Sequence, residues 1–160
     1  MQTVLEVFYV RIVGRQVQYQ RRQVNLTQRG SDPNRVIQAL VSEKREQETG
    51  QVEEREFIIH STSWRYKPPR QIVLTYVAYS DELEFKRGSV RRLPMKRIKA
   101  LTQSQPRSRT GLENQVVAHA LRHIAFLVKT GDQGDFKSAL TPATRKIFQS
   151  LWVTLAGRIR

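Results

Sequence analysis

The chain has 160 residues, enough for one domain with a sizeable core, and 39% apolar and 26% charged residues suit a folded globule rather than a disordered chain. It has no cysteine, which excludes a disulfide scaffold, thiolate metal sites and a cysteine nucleophile, and fits a reducing compartment. The formal net charge of +14 is unevenly placed: residues 1–85 carry 12 Lys and Arg against 11 Asp and Glu, residues 86–160 carry 16 against 3.

Residues 3–13 (TVLEVFYVRIV) are rich in Val, Ile, Phe and Tyr with little polar alternation, which predicts a largely buried strand. Glu6 and Arg11 interrupt this run and no basic stretch precedes it, so it does not read as a secretory signal. No window approaches the roughly 20 apolar residues of a membrane helix, and a cytoplasmic location is expected. Gly14-Arg15 turns the chain into a second run, Gln16–Leu26, with Val17, Tyr19 and Val24 as its apolar points. Gln18, Gln20, Arg21, Arg22 and Gln23 predict that this run is an exposed edge. After turn chemistry at 28–33, the spacing of Val36, Ile37, Leu40 and Val41 predicts a helix from about Asn34. It gives way along Glu43–Glu48 and stops at Thr49-Gly50.

Residues 56–66 and 71–80 predict a β-hairpin around Lys67-Pro68-Pro69-Arg70. Pairing Tyr66 with Gln71 puts Ile58, His60, Thr62 and Trp64 on one face and Ile59, Ser61, Ser63 and Arg65 on the other. A one-residue slip exchanges these faces. Leu93, Ile98 and Leu101 are inward anchors for a short helix after Pro94, and residues 103–110 read as a mobile loop. Glu113–Lys129 places Val117, Leu121, Ile124 and Val128 on one helical stripe, with Val116, Ala120 and Leu127 beside it. Gly131–Gly134 break that helix. Thr141-Pro142 supplies an N-cap and a first-turn proline for a last helix, with Phe148, Leu151, Trp152, Leu155 and Ile159 facing inward. The expected architecture is a single α+β domain over 1–160. A small, mostly antiparallel sheet holds the central hairpin, with one helix after the first strands and two C-terminal helices packed on it. A basic, partly mobile segment spans 86–112.

From Lys86 to Gly111 there is no acid, while Lys86, Arg87, Arg91, Arg92, Lys96, Arg97, Lys99, Arg107 and Arg109 all lie there. Like charges at this density repel, and a phosphate backbone relieves the repulsion by neutralising them and releasing counterions. Arginine dominates, and its planar fork suits bidentate phosphate contacts. Aromatic side chains for base stacking are absent from this segment, which argues against recognition of single strands by stacking.

Enzymatic patterns are incomplete. His60-Ser61-Thr62 has the His-x-Thr spacing of two-histidine phosphoesterases, which need a second such motif so that one imidazole is base and the other acid. His119 and His123 are followed by Ala120-Leu121 and Ile124-Ala125, so the second half is missing. Glu48-Thr49-Gly50 has a Nudix-like ending, but the carboxylate positions fall on Arg35 and Gln47, which cannot hold Mg²⁺. His119 and His123 share a helix face, as zinc-binding helices arrange them, and His60 is the only other histidine. The hydroxyl-rich strip Ser61–Ser63 with Trp64 and Arg65 is a candidate ligand-pocket wall.

The composite expectation is a non-enzymatic polyanion-binding protein, with RNA or a ribonucleoprotein ahead of DNA, working through residues 86–109. No catalytic residue, metal or cofactor is assigned. One alternative is a small-molecule or metal-binding enzyme or sensor around His60, Thr62, Trp64, Arg65, His119 and His123. The other is a scaffold whose basic tract meets an acidic protein partner.

Overall fold

The β-branched and aromatic run near the N-terminus forms β1 (Gln2–Val13), buried from Val4 through Val10 in a computed structural model that describes residues 1–26, 31–49, 57–101, 109–131, 139–153 and 157–158. Burial on both faces follows from its central position, where alternation of polar and apolar residues is not required. Gly14, at φ +57, opens the two-residue turn to β2 (Gln16–Leu26), a positive φ that hairpin turns of this length demand. On its other side β1 pairs in parallel with β4 (Gln71–Tyr79), and β4 pairs antiparallel with β3 (Ile58–Lys67). A four-residue strand, β5 (Arg91–Pro94), covers Gln16–Tyr19 of β2, and a two-residue strand, β6 (Gly157–Arg158), runs parallel to β3. The open sheet has the order β5-β2-β1-β4-β3-β6.

Helices cover both faces. On one lies α1 (Pro33–Thr49), whose Ile37, Leu40 and Val41 pack on Leu5, Val7, Tyr9 and Ala78. The Tyr9 hydroxyl donates to the Leu40 carbonyl, 3.1 Å away, so the one polar atom of that ring is satisfied inside the core. The other face carries α2 (Met95–Ala100), α3 (Arg109–Thr130) and α4 (Pro142–Ser150) over Phe8, Val10, Val17, Val77 and Tyr79. The stripe read from the sequence is the buried one: Val117, Leu121 and Ile124 are fully enclosed. Thr141 caps α4 by accepting from the Thr144 N–H, with Pro142 next. The Asp81 carboxylate accepts from the Tyr79 hydroxyl, the Thr141 N–H and the Thr144 hydroxyl, which ties the end of β4 to the start of α4.

The α+β expectation holds, with five local corrections. The hairpin register is as expected from Ile58 to Ser61, but Thr62 is an extra residue between the pairs Ser61–Tyr76 and Ser63–Thr75. Beyond that bulge every pair moves by one, the loop shortens to Pro68–Arg70, and Arg65 changes face while Trp64 faces the other way. Arg21 is not an edge residue exposed to water; it shares the inward face of Val17 and Tyr19, and its side chain is 16% exposed. Residues 91–94 form a strand that sequence reading did not separate from the basic segment. The α3 helix begins four residues early, so Arg109 and Thr110 belong to it and not to a loop. The last helix ends at Ser150: Leu151 is buried from an extended conformation, Trp152 is 80% exposed, and Leu155 and Ile159 lie outside the described residues. The aromatic and β-branched residues at 152–154 are weak helix formers, so little opposes this early stop.

Chemical denaturation should separate the two C-terminal aromatic and aliphatic environments. Leu121→Ala, at the centre of the α3 contact, should cost about 2–5 kcal/mol, whereas Trp152→Ala should stay within about 0.5 kcal/mol of the parent.

Candidate functional site

Glu6 lies mid-strand in β1 and is completely buried. Alternation along the strand aims it at the α3 face, together with Arg21 from β2 and, because of the Thr62 bulge, Arg65 from β3. Arg65 grips it with two parallel bonds, Nη1 to Oε1 at 2.8 Å and Nη2 to Oε2 at 2.9 Å. Arg21 reaches Oε2 at 2.5 Å, and the Gln23 amide and Thr75 hydroxyl complete the shell at 2.8 and 3.0 Å. Burial alone pushes the Glu6 carboxyl up, but the Arg65 bonds and charge, with Arg21 behind them, more than offset it and leave its pKa below the ordinary range. Arg21 continues to Glu113 of α3 at 3.1 Å, and the Arg91 Nε of β5 lies 3.4 Å from the other oxygen of Glu113. Next to this chain, the Tyr19 hydroxyl donates to Asn114, and burial followed by the Glu113 charge pushes it up to about 12.

A cavity of about 520 Å³ opens over this network between the sheet and the first turns of α3, with Lys67 and Gln71 at the hairpin end. Sequence reading missed it. The available signal was Glu6 itself, since a carboxylate inside a ten-residue apolar run must find cationic or hydrogen-bonding partners when the run is buried.

The basic segment is distributed over three elements. Lys86 and Arg87 enter a tight turn closed by Ser89 N–H and hydroxyl donation to the Lys86 carbonyl, with Gly88 at φ +84. Arg91 and Arg92 lie on β5, Lys96 and Arg97 on α2, and all six of these side chains are exposed. Leu93 and Ile98 anchor the segment in the core. Among the described residues only Arg91 of these six meets a carboxylate, Glu113. The other described ion pairs belong to Glu6 and Glu43, and Asp81 is held by Tyr79 and the start of α4. Lys99 lies in α2 and Arg109 opens α3, while Arg107 falls outside the described residues.

Of the candidate ligand residues, His60 meets His123 and His119 meets the Thr62 backbone, while Trp64 and Arg65 turn elsewhere. His60 Nδ1 stands 3.0 Å from His123 Nε2 and 2.9 Å from the Ser61 carbonyl. The two imidazoles share one hydrogen bond, whose donor is set by the tautomers of the rings. His119 is one turn away and donates from Nε2 to the Thr62 carbonyl at 3.1 Å; burial first, and then the Arg122 charge, hold its pKa below the usual histidine value against the opposing effect of that bond. The Thr62 hydroxyl donates to the Thr75 carbonyl, Arg65 serves Glu6, and Trp64 faces the α1 side. Among the described residues no group of three or more His, Asp or Glu is placed to hold a metal ion.

Glu6→Gln should destabilise the protein by about 3–5 kcal/mol, because two guanidinium groups lose their buried counter-charge. A native pKa below the unfolded one means that the contribution of Glu6 is complete above the ordinary glutamate range and is lost as pH falls through the depressed native value. Denaturation at a series of acidic pH values should show this loss in the parent and a flatter profile in Glu6→Gln.

Compared with known proteins, the chain matches no protein-family model and no curated protein sequence.

Proposed function

We propose that this chain binds a nucleic-acid polyanion, RNA or a ribonucleoprotein ahead of DNA, in the cytoplasm, and that it does so without catalysing a reaction. The observation that carries the reading is the set Lys86, Arg87, Arg92, Lys96 and Arg97. These are five exposed cations on a core-anchored edge, with no described carboxylate within ion-pair distance. Exposed cations of one sign hold a counterion atmosphere, and a phosphate backbone laid along them releases it. Their support is rigid in the relevant sense: Leu93 and Ile98 are buried, and the Met95 N–H donates to the Arg15 carbonyl, so β5 and α2 cannot swing away without breaking core contacts. Contacts of this kind set affinity and position rather than sequence preference. No helix among the described residues is long and apolar enough to cross a membrane.

A generic single-stranded RNA should bind at about 50 mM salt, with log K falling against log salt by about 0.7 for each phosphate contacted, hence about 3.5 for five contacts. Reversal of Arg92, Lys96 and Arg97 to Glu should weaken binding at least a hundredfold while leaving the unfolding midpoint in place. Absence of binding at that salt, or a triple variant that binds like the parent, contradicts the reading.

A further inference from the structure

The ion-pair chain Arg65–Glu6–Arg21–Glu113–Arg91 alternates in sign and begins and ends on arginine, so three positive charges share two carboxylates. Lys67 lies two residues beyond Arg65 on the same face of β3 and lines the same cavity, adding a further positive charge at its rim. Lys67 is exposed and has no described acid within ion-pair reach.

The arginines are also unsaturated as donors. A guanidinium offers five N–H bonds. Arg21 commits Nε and one bond of Nη2 to Glu6 and one bond of Nη1 to Glu113, which leaves two. Arg65 commits both Nη1 bonds, to Glu6 and Thr75, and one Nη2 bond to Glu6, which leaves its Nε–H and one more. Both side chains are largely buried, at 16% and 13% exposure, and both line the cavity. The Glu6 oxygens, by contrast, are filled by their own donors and present little repulsion to an incoming anion.

We propose that this cavity is a binding site for a phosphate monoester. Such a group carries a charge of about −1.5 to −2 and three acceptor oxygens, and the cavity lining sets three cations, Arg21, Arg65 and Lys67, against two carboxylates, Glu6 and Glu113, with N–H donors left over on the two arginines. Arg65 and Arg21 provide the floor, Lys67 closes the rim, and Gln23, Asn25 and Gln71 supply amides for the rest of the molecule. The volume, about 520 Å³, lies within the range of small-molecule sites. The site is separate from the exposed cations of β5 and α2 and stands whether or not these bind nucleic acid. The monoester has two sources, a free small molecule such as a nucleotide or the 5′-phosphate end of an oligonucleotide.

The test is NMR of the full chain, following the arginine Nε–H signals during addition of AMP, adenosine, and a tetranucleotide with and without a 5′-phosphate. The expected result is a saturable shift of the Arg65 Nε–H with AMP or with the 5′-phosphorylated tetranucleotide, and none with adenosine. Response to AMP assigns the free small molecule as a source; response to the phosphorylated tetranucleotide alone assigns the chain end. Lys67→Glu, at an exposed position, should weaken the binding at least tenfold, whereas Lys146→Glu, with the same change in net charge on exposed α4 surface, should not. The proposal is overturned if neither phosphate compound moves the Arg65 signal at millimolar concentration, if the 5′-hydroxyl tetranucleotide moves it equally, or if the two lysine variants lose affinity alike.

Discussion

Burying a carboxylate in the middle of a strand costs several kcal/mol unless cationic donors surround it, and Glu6 obtains those donors from elements far apart in sequence. Arg21 comes from the neighbouring strand, Arg65 from two strands away across β4, and Thr75 from β4 itself. Each is available only if the register of its strand is right. A slip of one residue in β2 or β3 would turn Arg21 or Arg65 to the opposite face and leave a buried negative charge exposed to an apolar core. The Thr62 bulge belongs to the same constraint: without that extra residue Arg65 would face α1, and the bidentate grip on Glu6 could not form. The apolar core stabilises the fold in bulk; the Glu6 shell selects one register of the sheet among the alternatives that the same apolar pattern allows.

The same network shapes the distribution of charge at the surface. Among the described acids, Glu6 and Glu113 are buried and engaged by arginines, Asp81 joins β4 to α4, and Glu43 of α1 pairs with Arg22 of β2. These carboxylates are therefore held away from Lys86, Arg87, Arg92, Lys96 and Arg97. Cations are displayed on the β5 edge and α2, while Glu82 and Glu84 lie exposed a few residues before Lys86 and Arg87. Charged side chains on a short edge strand also disfavour pairing with another sheet.

The parts of this arrangement that follow local periodicity were legible in the sequence. The buried stripe of α3, the Thr141-Pro142 start of α4, the Gly14 turn and the inward anchors Leu93 and Ile98 each depend on residues within one turn or one hairpin of each other. What was not legible depends on long-range pairing. The bulge at Thr62 leaves no mark in a strip of Ser and Thr that alternates freely, and it alone decides whether Arg65 or Trp64 shares a face with His60. Arg21 reads as solvent-facing among glutamines until Glu6 is placed across from it. Trp152 and Leu155 extend the helical pattern of α4 in the sequence, yet the helix ends at Ser150. His60 and His123 meet, yet backbone carbonyls of β3 claim His60 and His119, which no spacing rule reveals.

Whether the displayed cations meet a nucleic acid is decided most directly by isolating the protein from its native source with and without nuclease treatment and identifying what accompanies it. An excess of exposed positive charge held apart from the acids of its own chain predicts copurifying nucleic acid, lost on nuclease treatment or in high salt. Protein that emerges free of nucleic acid under gentle, low-salt conditions, or with a companion whose association survives nuclease unchanged, would contradict it.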